Sequence, residues 1–482
     1  MPRRYPLFLL LTFMLFSRDA RSQIGKEIVP TQHSFGIDTA HKLIIWNIEI
    51  TDSLKQAHSS FSIRFGDTYK FNIPSDSLSY SQRFQNEEGY ALYITQLPVI
   101  SITIKDAIVN EPKKMAQFYF ADQKQTIEQI VGIELRGNIS LGFPKKNYDL
   151  EFWKDKWGKE NVDLQFKKLR SDDDWILDGL YDEPLRLRSY LASKLWLSIH
   201  EPYYIQQEPE AKSGIDMRFV EVFLNNEYQG LFTLTEDVDR KLLQLKEPEN
   251  DQPRGELFKA VRYGGAPEFK KAPDFDNRSP YWGGYEMSYP LVNYKYYWNN
   301  LHAFTDFVVN SESDVFAARI DQYVHLDNVI DYFLFVNMLR ATDNLGKNLF
   351  VARYDISGPY FIVPWDLDGV LGTIIDGRRI STTDDVLSNG LFDRLIKENP
   401  NDYKYRLVSR WKALRATVFS NESLLGEIDK LYQTFESNKV YEREGLIWPS
   451  DQSNEAHLTY LKDWLKKRLS YLDGYFEKLE QE

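Results

Sequence analysis

The chain has 482 residues, of which 43% are hydrophobic and 15% aromatic, with only 25 glycines and 20 prolines. This composition supplies a large core and excludes a disordered or fibrous protein, and the length suits one large two-lobed domain with an appendage. The net charge of −12 argues against nucleic acid or an anionic membrane as the main partner. Because the sequence has no cysteine, it excludes disulfides, thiolate metal sites and a lipid anchor through an N-terminal Cys.

The first residues have the order of a bacterial-type secretory signal peptide. Arg3 and Arg4 precede an apolar run over residues 5–16, and a small-x-small pattern follows at residues 20–22. The run is too short to span the roughly 30 Å hydrocarbon core of a membrane. We therefore predict a signal peptide over residues 1–22 and a secreted, periplasmic or cell-surface location. A tail or an uncleaved anchor is the alternative interpretation.

A small β-rich unit is predicted next, over residues 23–96. Residues 42–50 and 61–65 have the pattern of strands, and polar turns separate them. A new run of strands begins at Leu97, so we place a domain boundary there and predict one larger domain over residues 97–482.

This larger domain is predicted to begin with strands and to end with helices. The strands are expected at residues 97–104, 116–120 and 133–136, and in a hairpin over 219–224 and 230–234. The helices are expected after Pro184, over residues 327–339 and over residues 458–479. The predicted fold class is therefore α+β.

The densest polar cluster of the chain follows the second of these helices. Asp343 and Asn348 stand five residues apart, which is the spacing of the kinase template D-x-x-x-x-N. In that template the Asp takes the proton of the acceptor hydroxyl and the Asn binds a metal. Asp366 and Asp368 follow the next strands, where a kinase holds metal against the phosphates. Asp and Asn also cap ordinary turns, and the spacing alone leaves both interpretations open.

Further blocks of sequence resemble, in the same order, those of the CotH (spore-coat protein H) kinase family. The matching blocks are Arg136-Gly137-Asn138-Ile139-Ser140, Pro144-Lys145-Lys146-Asn147-Tyr148, Asp174-Trp175-Ile176-Leu177, Arg186-Leu187-Arg188-Ser189-Tyr190-Leu191-Ala192, Tyr228-Gln229-Gly230-Leu231-Phe232 with Glu236, the loop of Asp343, Lys347 and Asn348, and Trp365-Asp366-Leu367-Asp368 with Gly372. The resemblance extends from Leu97 to Trp411. Ile139 departs from it, since the family usually has Ser there.

The resemblance implies an atypical protein-kinase-like fold of two lobes with the site in the cleft between them. We expect the N-terminal lobe over about residues 97–260 and the C-terminal lobe over about residues 261–482. The family also implies phosphorylation of protein Ser or Thr hydroxyls that depends on ATP and on Mg²⁺ or Mn²⁺.

Carried over position by position, the resemblance assigns roles to the polar cluster. Asp343 is the expected catalytic Asp, and Asn348 and Asp366 are the expected metal ligands. Asp368 is a further candidate ligand, because it lies two residues beyond Asp366.

The candidates for nucleotide binding lie earlier in the chain. Residues 136–140 form a strand and turn in which Arg136, the backbone amides and the Ser140 hydroxyl are expected near the phosphates. Lys145 and Lys146 follow, and the next strand is expected to hold Lys146 inward, where it would neutralise the nucleotide. The alternative is a solvated Lys pair in a turn.

Glu236 is a further candidate at the nucleotide site. It is expected either to pair with that lysine or contact metal, or to cap a helix that begins near Asp237.

Other chemistries find little support in the sequence. Seven histidines form no H-E-x-x-H pattern, which disfavours a zinc enzyme, and no G-x-S-x-G elbow is present. Asp172-Asp173-Asp174 resembles a cation cluster, although an acidic loop is the simpler interpretation. Two functional alternatives to a kinase stay open: a non-catalytic surface or assembly protein that kept the fold, and a transferase with another donor or acceptor.

Overall fold

The structure is a computed structural model that describes residues 26–56, 60–291, 295–450 and 452–481. The predicted signal peptide over residues 1–22 lies outside the described residues. No helix in the described part of the chain combines the length and the apolarity needed to cross a membrane.

Strands dominate the first half of the described chain, as the sequence predicts. They are β1 (Lys26–Ile28), β2 (Phe35–Asp38), β3 (Leu43–Asn47), β4 (Ser60–Phe65), β5 (Tyr69–Pro74), β6 (Arg83–Gln85), β7 (Ala91–Thr95), β8 (Val99–Thr103), β9 (Lys114–Ala121), β10 (Thr126–Arg136), β11 (Asn147–Trp153), β12 (Leu164–Gln165), β13 (Ser171–Asp172), β14 (Asp174–Asp178), β15 (Met217–Leu224), β16 (Glu227–Thr235), β17 (Glu256–Ala260), β18 (Tyr281–Trp282), β19 (Tyr285–Tyr289), β20 (Leu349–Arg353) and β21 (Tyr360–Pro364).

Helices dominate the second half. They are α1 (Asp52–Gln56), α2 (Arg188–Ile199), α3 (Arg240–Leu243), α4 (Asn299–Asn310), α5 (Ser313–Arg319), α6 (Leu326–Leu339), α7 (Gly390–Glu398), α8 (Tyr403–Arg415), α9 (Asn421–Ser437), α10 (Val440–Ile447) and α11 (Asn454–Leu479). Two short 3₁₀ turns, Ile139–Gly142 and Thr342–Leu345, also matter for the site. The predicted α+β class is confirmed.

The chain forms two compact units. In the described residues the smaller unit consists of residues 26–30 and 50–79, and its sheet has the strand order β1-β4-β5. Strand β4 alternates buried and half-buried positions, which is the pattern of a strand with one face in a core.

The larger unit consists of residues 31–49 and of the chain from Tyr80 onward. Seven of its strands close into a barrel in the order β10-β11-β14-β16-β15-β8-β9. Alternate residues of β11 point into the barrel, where Tyr148, Leu150 and Phe152 are buried. The residues between them face outward, and this period of two places the polar side chains of β11 on the outer surface.

The same unit contains a five-stranded sheet, β18-β19-β17-β20-β21. Helix α6 is buried along nearly its whole length and packs against β21 and α8. Its high content of large apolar residues explains this position, since a helix that is apolar all round lies inside a core.

The sheet β2-β3-β7-β6 belongs to the larger unit, although the sequence prediction placed it before the boundary at Leu97. Leu43 and Ile45 of β3 share one core with Phe223 and Tyr228 of the β15–β16 hairpin. The boundary near Leu97, and the division into lobes near residue 260, stay predictions about folding units.

Candidate active site

Two loops at one end of the β20–β21 hairpin carry the predicted catalytic and metal-binding residues. The antiparallel register pairs Leu349 with Pro364. Asn348 precedes β20 and lies opposite Trp365, whose amide donates to the Asn348 carbonyl at 3.1 Å. Asp366, the next residue, therefore lies at the same end of the hairpin as Asn348.

The buried side chain of Asn344 ties these two loops together. Its amide nitrogen donates to the carbonyl oxygen of Asn348 at 2.6 Å and to that of Trp365 at 2.7 Å. The carbonyl oxygen of Asn344 accepts a hydrogen bond from the Tyr332 hydroxyl, on α6, at 2.7 Å. The 3₁₀ turn that carries Asp343 is therefore fixed both to the core helix and to the loop of Asp366.

Asn348 and Asp366 both have a left-handed backbone, with φ of 53° and 56°. This region costs non-glycine residues roughly 1–3 kcal/mol each, and such strain persists only where the surroundings impose it. The hydrogen bonds made by Asn344 supply that constraint. Strained polar residues of this kind cluster at ligand and catalytic sites.

Asp366 is exposed to solvent but lies among converging charges. Partial desolvation by the surrounding loops raises its pKa, while the positive charges of Arg136, Lys259 and Lys347 oppose the rise. The nearby Asp178 acts in the same direction as desolvation. A carboxylate in such a setting favours a bound cation over a proton when a metal is offered.

Three further carboxylates crowd around Asp366. Burial and the charges of Asp366, Asp182 and Asp178 raise the pKa of Asp368 well above its usual range. Burial and Asp178 raise the pKa of Asp182 to about 7. The Oδ2 atom of Asp182 is buried and has no hydrogen-bond partner among the described residues.

This donor set fits a hard divalent cation. Mg²⁺ and Mn²⁺ prefer carboxylate and amide oxygens, and a buried carboxylate oxygen without a donor is the kind of atom that a metal satisfies. The carboxylates do not form a closed set, because within the described residues no three of their oxygens lie within 4.8 Å of one another. Such an open arrangement suits a metal that takes its remaining ligands from phosphates and water.

Two cations converge on the indole of Trp365, next to Asp366. The guanidinium carbon of Arg136, at the end of β10, lies 5.3 Å from the ring centre, and the ammonium of Lys259, on β17, lies 5.5 Å from it. The half-buried Asp237 interacts with the same two cations. Burial raises the pKa of Asp237, and the charges of Arg136 and Lys259 oppose the rise. The barrel and the five-stranded sheet thus each contribute one positive charge to the site.

Asp343 accepts a hydrogen bond from the hydroxyl of Tyr263 at 2.7 Å. Burial and the charge of Asp343 raise the pKa of this tyrosine, so it stays protonated and remains a donor at neutral pH. The contact fixes one carboxylate oxygen of Asp343 and leaves the other for a reacting group.

The structure places Lys145, a predicted nucleotide ligand, inside the protein. Its side chain is 0% exposed, and its ammonium donates to Glu444 of α10 at 2.5 Å and to the carbonyl of Leu231 at 2.6 Å. Lys146, which the sequence analysis expected to point inward, is half-buried and donates to the carbonyl of Leu141 at 2.7 Å. The expected inward position of Lys146 was wrong, because both lysines precede β11 and the alternation of that strand does not extend to them.

Ser140 and Glu236 also have protein partners. The Ser140 hydroxyl donates to the carbonyl of Arg136 at 3.4 Å, within the loop that follows β10. Glu236 is fully buried and accepts from Lys212 at 2.5 Å and from the amides of Arg170 and Asp216 at 2.7 and 2.9 Å.

The alternative that Glu236 caps a helix was also wrong. Helix α3 begins at Arg240, and Asp239 is its cap through the amide of Leu242. The nucleotide-binding roles of Ser140, Lys145, Lys146 and Glu236 stay predictions.

Residues of the block around Arg186 and Arg188 form hydrogen bonds to the backbone of the loop that carries Asp366 and Asp368. Ser189, in the first turn of α2, donates to the carbonyl of Leu367 at 3.1 Å, and Arg188 donates to that of Leu371 at 3.3 Å. Arg186 donates to backbone carbonyls on either side of Asp182, at Tyr181 and Glu183. These contacts give the arginines a structural task, which is to hold the two acidic loops in place.

The acidic run Asp172-Asp173-Asp174 forms the tightest carboxylate groups of the described residues, with Glu151 or Asp163. Lys241 lies between Asp172 and Asp173, at 2.9 and 2.6 Å. The lysine therefore takes the place of a cation in one of the two groups. The run is not the acidic loop of the simpler interpretation, since Asp172 ends β13 and Asp174 begins β14.

Sequence reasoning missed several residues of the site, namely Asp178, Asp182, Asp237, Lys259, Tyr263 and Asn344. Asp178 and Asp182 flank the end of β14, and carboxylates after a strand were a usable signal at Asp366. Lys259 gave a weaker signal, since it is one of two charged residues in a short strand and belongs to no motif. Its position depends on the pairing of β17 with β20, which places Lys259 beside Phe350.

The comparison with protein families agrees with the resemblance seen in the sequence. The chain matches the family described as CotH kinase protein over residues 133–472. No curated protein matches it. Among solved structures it is similar to the Helicobacter pylori proinflammatory kinase CtkA, with 10% identity, 78% of this chain and 98% of that chain covered, and a TM-score of 0.24. The assignment to a family rests on the sequence match alone.

Proposed function

Since the chain belongs to the CotH kinase protein family, and is thus a kinase-like phosphotransferase, we propose that it is an exported enzyme that uses ATP and Mg²⁺ or Mn²⁺ to phosphorylate Ser or Thr hydroxyls of proteins. One observation carries the proposal. Hydrogen bonds from the Asn344 side chain join the loop of Asp343 to the loop of Asp366. The cations Arg136 and Lys259 lie beside these loops.

Each part of the cluster suits one task of phosphoryl transfer. Asp343, held by Tyr263, accepts the proton of the acceptor hydroxyl and orients that oxygen toward the phosphate. Arg136 and Lys347 supply positive charge beside Asp366, where negative charge develops on the phosphates. Positioning and charge of this kind account for most of the rate gain in phosphoryl transfer.

Asp366, Asp368 and Asn348 would hold the metal, with Asp178 and Asp182 beside them. When bound, the metal supplies Lewis-acid charge that neutralises the phosphate oxygens. Asn344 and α2 fix both loops that carry these ligands, so the ligand side chains start from loops that are already held in place.

The proposal is tested with purified protein, labelled ATP and Mn²⁺. We expect autophosphorylation or phosphorylation of secreted acceptor proteins by the parent, and loss of both metal-dependent nucleotide binding and transfer in Asp366→Ala. The variant should melt only slightly below the parent, because the carboxylate is exposed and the main cost is that of Ala at a positive φ. A parent that binds nucleotide but never transfers phosphate would favour the non-catalytic alternative.

Export is tested separately from catalysis. The predicted signal peptide places the mature N-terminus near Gln23, and intact mass of protein recovered outside the cytoplasm gives that residue directly. Exported protein that retains Met1 would contradict this part of the proposal.

A further inference from the structure

Arg136 and Lys259 bring two positive charges to one aromatic ring from separate parts of the fold. Arg136 ends β10 of the barrel, and Lys259 lies on β17 of the five-stranded sheet. Both charged groups lie within 5.5 Å of the centre of the Trp365 indole. Like charges repel, so an arrangement that holds two cations on one ring needs a compensating anion.

The protein supplies little of that compensation. Within the described residues Lys259 forms no ion pair, and its contacts are the rings of Trp365 and Phe350, at 5.5 and 5.7 Å. Arg136 reaches a carboxylate only at 3.8 Å, on Asp149. That carboxylate already pairs with Lys113 at 2.9 Å. Two nearby carboxylates, Asp237 and Asp366, interact with both cations, but within the described residues neither forms an ion pair with them. The two cations therefore lack a close anionic partner of their own.

A second lysine on an aromatic ring shows what a neutralised arrangement looks like in this chain. The ammonium of Lys246 lies 5.1 Å from the ring centre of Tyr354. Unlike Lys259, it also pairs with Glu208 at 2.7 Å. The aromatic contact is common to both lysines, and the missing carboxylate distinguishes Lys259.

Asp366 does not supply the missing anion once a metal is bound. Its carboxylate senses both cations, but a metal ligand shares its charge with the metal. The positive charges of Arg136 and Lys259 then remain available to a different anion that binds at Trp365, next to the loop of Asp366.

We propose that Lys259 and Arg136 hold the phosphate chain of a nucleoside triphosphate beside the metal, with Trp365 as the surface that fixes both side chains. The inference rests on the proposed function and assigns to Lys259 the phosphate-binding task that was predicted for Lys145 and Lys146. Lys145 cannot perform it in this conformation, because its ammonium is fully buried between Glu444 and Leu231.

The test measures binding of ATP and of inorganic tripolyphosphate, each with Mn²⁺, by calorimetry on the full chain. Lys259→Met keeps the apolar stem on Trp365 and removes the charge, whereas Lys259→Arg keeps the charge. We expect Lys259→Met to weaken both ligands about 10–100-fold, the loss typical of one hydrogen bond to a charged group. Lys259→Arg should stay within about fivefold of the parent.

Lys246→Met is the matched control, since it removes an ammonium from an aromatic ring that lies elsewhere. Its nucleotide affinity should equal that of the parent. Thermal melting of all variants checks the fold, and Lys259→Gln replaces Lys259→Met if the latter does not fold.

Three outcomes overturn the inference. If the parent binds ATP and Lys259→Met binds it equally well, Lys259 is not a phosphate ligand, although the proposed function stands. If Lys259→Met weakens ATP but not tripolyphosphate, the lysine contacts the nucleoside instead. If the parent binds neither ligand with any metal, the inference and the proposed function both fall.

Discussion

Two clusters in the larger unit both combine acidic and basic side chains. In one cluster these charges pair with each other, and in the other they do not. The first surrounds Glu444 of α10, which accepts from the Lys145 ammonium at 2.5 Å, from the Leu231 amide at 3.1 Å, and lies 3.4 Å from Arg186. The second surrounds Asp366 and contains cations that lack a close carboxylate partner in the described residues.

The cluster around Glu444 is closed to solvent and to ligands. The side chains of Lys145, Glu444 and Arg186 are all buried. Burial lowers the pKa of Lys145 to about 8. Burial acts to raise the pKa of Glu444, but the charges of Lys145 and Arg186 outweigh it and lower that pKa, so the pair stays ionised at neutral pH. Gly230 makes this packing possible, because a side chain there would meet the Glu444 carboxylate at 2.8 Å.

The next residue of α10 repeats the pattern. Arg443 is fully buried against Glu221, and the hydroxyl of Tyr228 donates to the same carboxylate at 2.5 Å. Helix α10 is thus held to the barrel by two buried ion pairs. Paired charges of this kind fix a structure, whereas the poorly paired charges at Asp366 are available to a ligand.

The largest expected effect comes from a substitution beside the cluster around Asp366, and it is on the rate of phosphoryl transfer. Asp343→Asn is nearly isosteric and keeps a partner for Tyr263, so the variant should melt near the parent and still bind ATP with metal. The loss of a positioned proton acceptor should reduce phosphoryl transfer by about 10²–10⁴-fold. Single-turnover measurement with saturating ATP separates the chemical step from binding.

Asp343→Asn that transfers phosphate at the parental rate would reduce Asp343 to a turn residue. Tyr263→Phe is the companion variant, because it removes the hydrogen bond to Asp343 and leaves the carboxylate. Its rate should fall less than that of Asp343→Asn.

The next largest effect is expected from a substitution in the cluster around Glu444, and it is on the free energy of unfolding. Glu444→Gln leaves Lys145 and Arg186 buried without a countercharge, and breaking a buried pair in this way costs roughly 3–5 kcal/mol. Denaturant unfolding measures the loss. Nucleotide affinity, measured well below the melting temperature, should be unchanged, which is the reverse of the result expected for Lys259→Met.

Glu442→Gln is the matched control on the same helix. Its carboxylate is partly exposed and accepts a hydrogen bond from Tyr93 at 2.9 Å, so the loss should be below about 1 kcal/mol. If Glu444→Gln instead keeps its stability and loses nucleotide affinity, Lys145 belongs to the nucleotide site as the sequence predicted.

The sequence identifies residues of both clusters, but it shows their spatial arrangement only where contiguous chain brings them together. Asp343, Asn348 and Asp366 flank the two strands of one hairpin, so contiguous chain brings them together. Lys145 and Glu444 are 299 residues apart, and only the packing of α10 on the barrel joins them. A lysine next to a predicted strand therefore looks alike in sequence whether its partner is a phosphate or a distant carboxylate.

The predicted elements were confirmed for a related reason. Strands such as β9 and β10 and helices such as α6 and α11 follow from local periodicity, which depends on residues a few positions apart. The closure of seven strands into a barrel depends on pairings between distant strands, which no local pattern contains.

The smallest expected effect concerns a third group of charges, outside both clusters. Asp174 lies opposite Glu151 in the pairing of β14 with β11, and like charges in that position repel. Burial and the charges of Asp173, Glu151 and Asp149 raise the pKa of Asp174 from 3.8 to about 7, although Lys113 opposes the rise.

The folded state therefore binds a proton at Asp174 more tightly than the unfolded state does. Stability from this group is complete below pH 4 and is lost as the pH rises toward 7, since the free energy of unfolding falls wherever the folded state holds more protons. Asp174→Asn removes the ionisable group and its repulsion. The variant should exceed the parent in stability by on the order of 1–3 kcal/mol at pH 8, and by less at pH 5.

Unfolding by urea at pH 5 and pH 8, with EDTA present to exclude adventitious cations, measures this difference. Asp106→Asn removes the same charge at an exposed position and serves as the control, which should change the free energy of unfolding little. Equal stability of Asp174→Asn and the parent at both pH values would mean that the crowded carboxylates of the barrel surface are relieved by solvent. Unpaired charge would then mark a ligand site in this protein only where, as at Asp366, strained loops hold the charges in place.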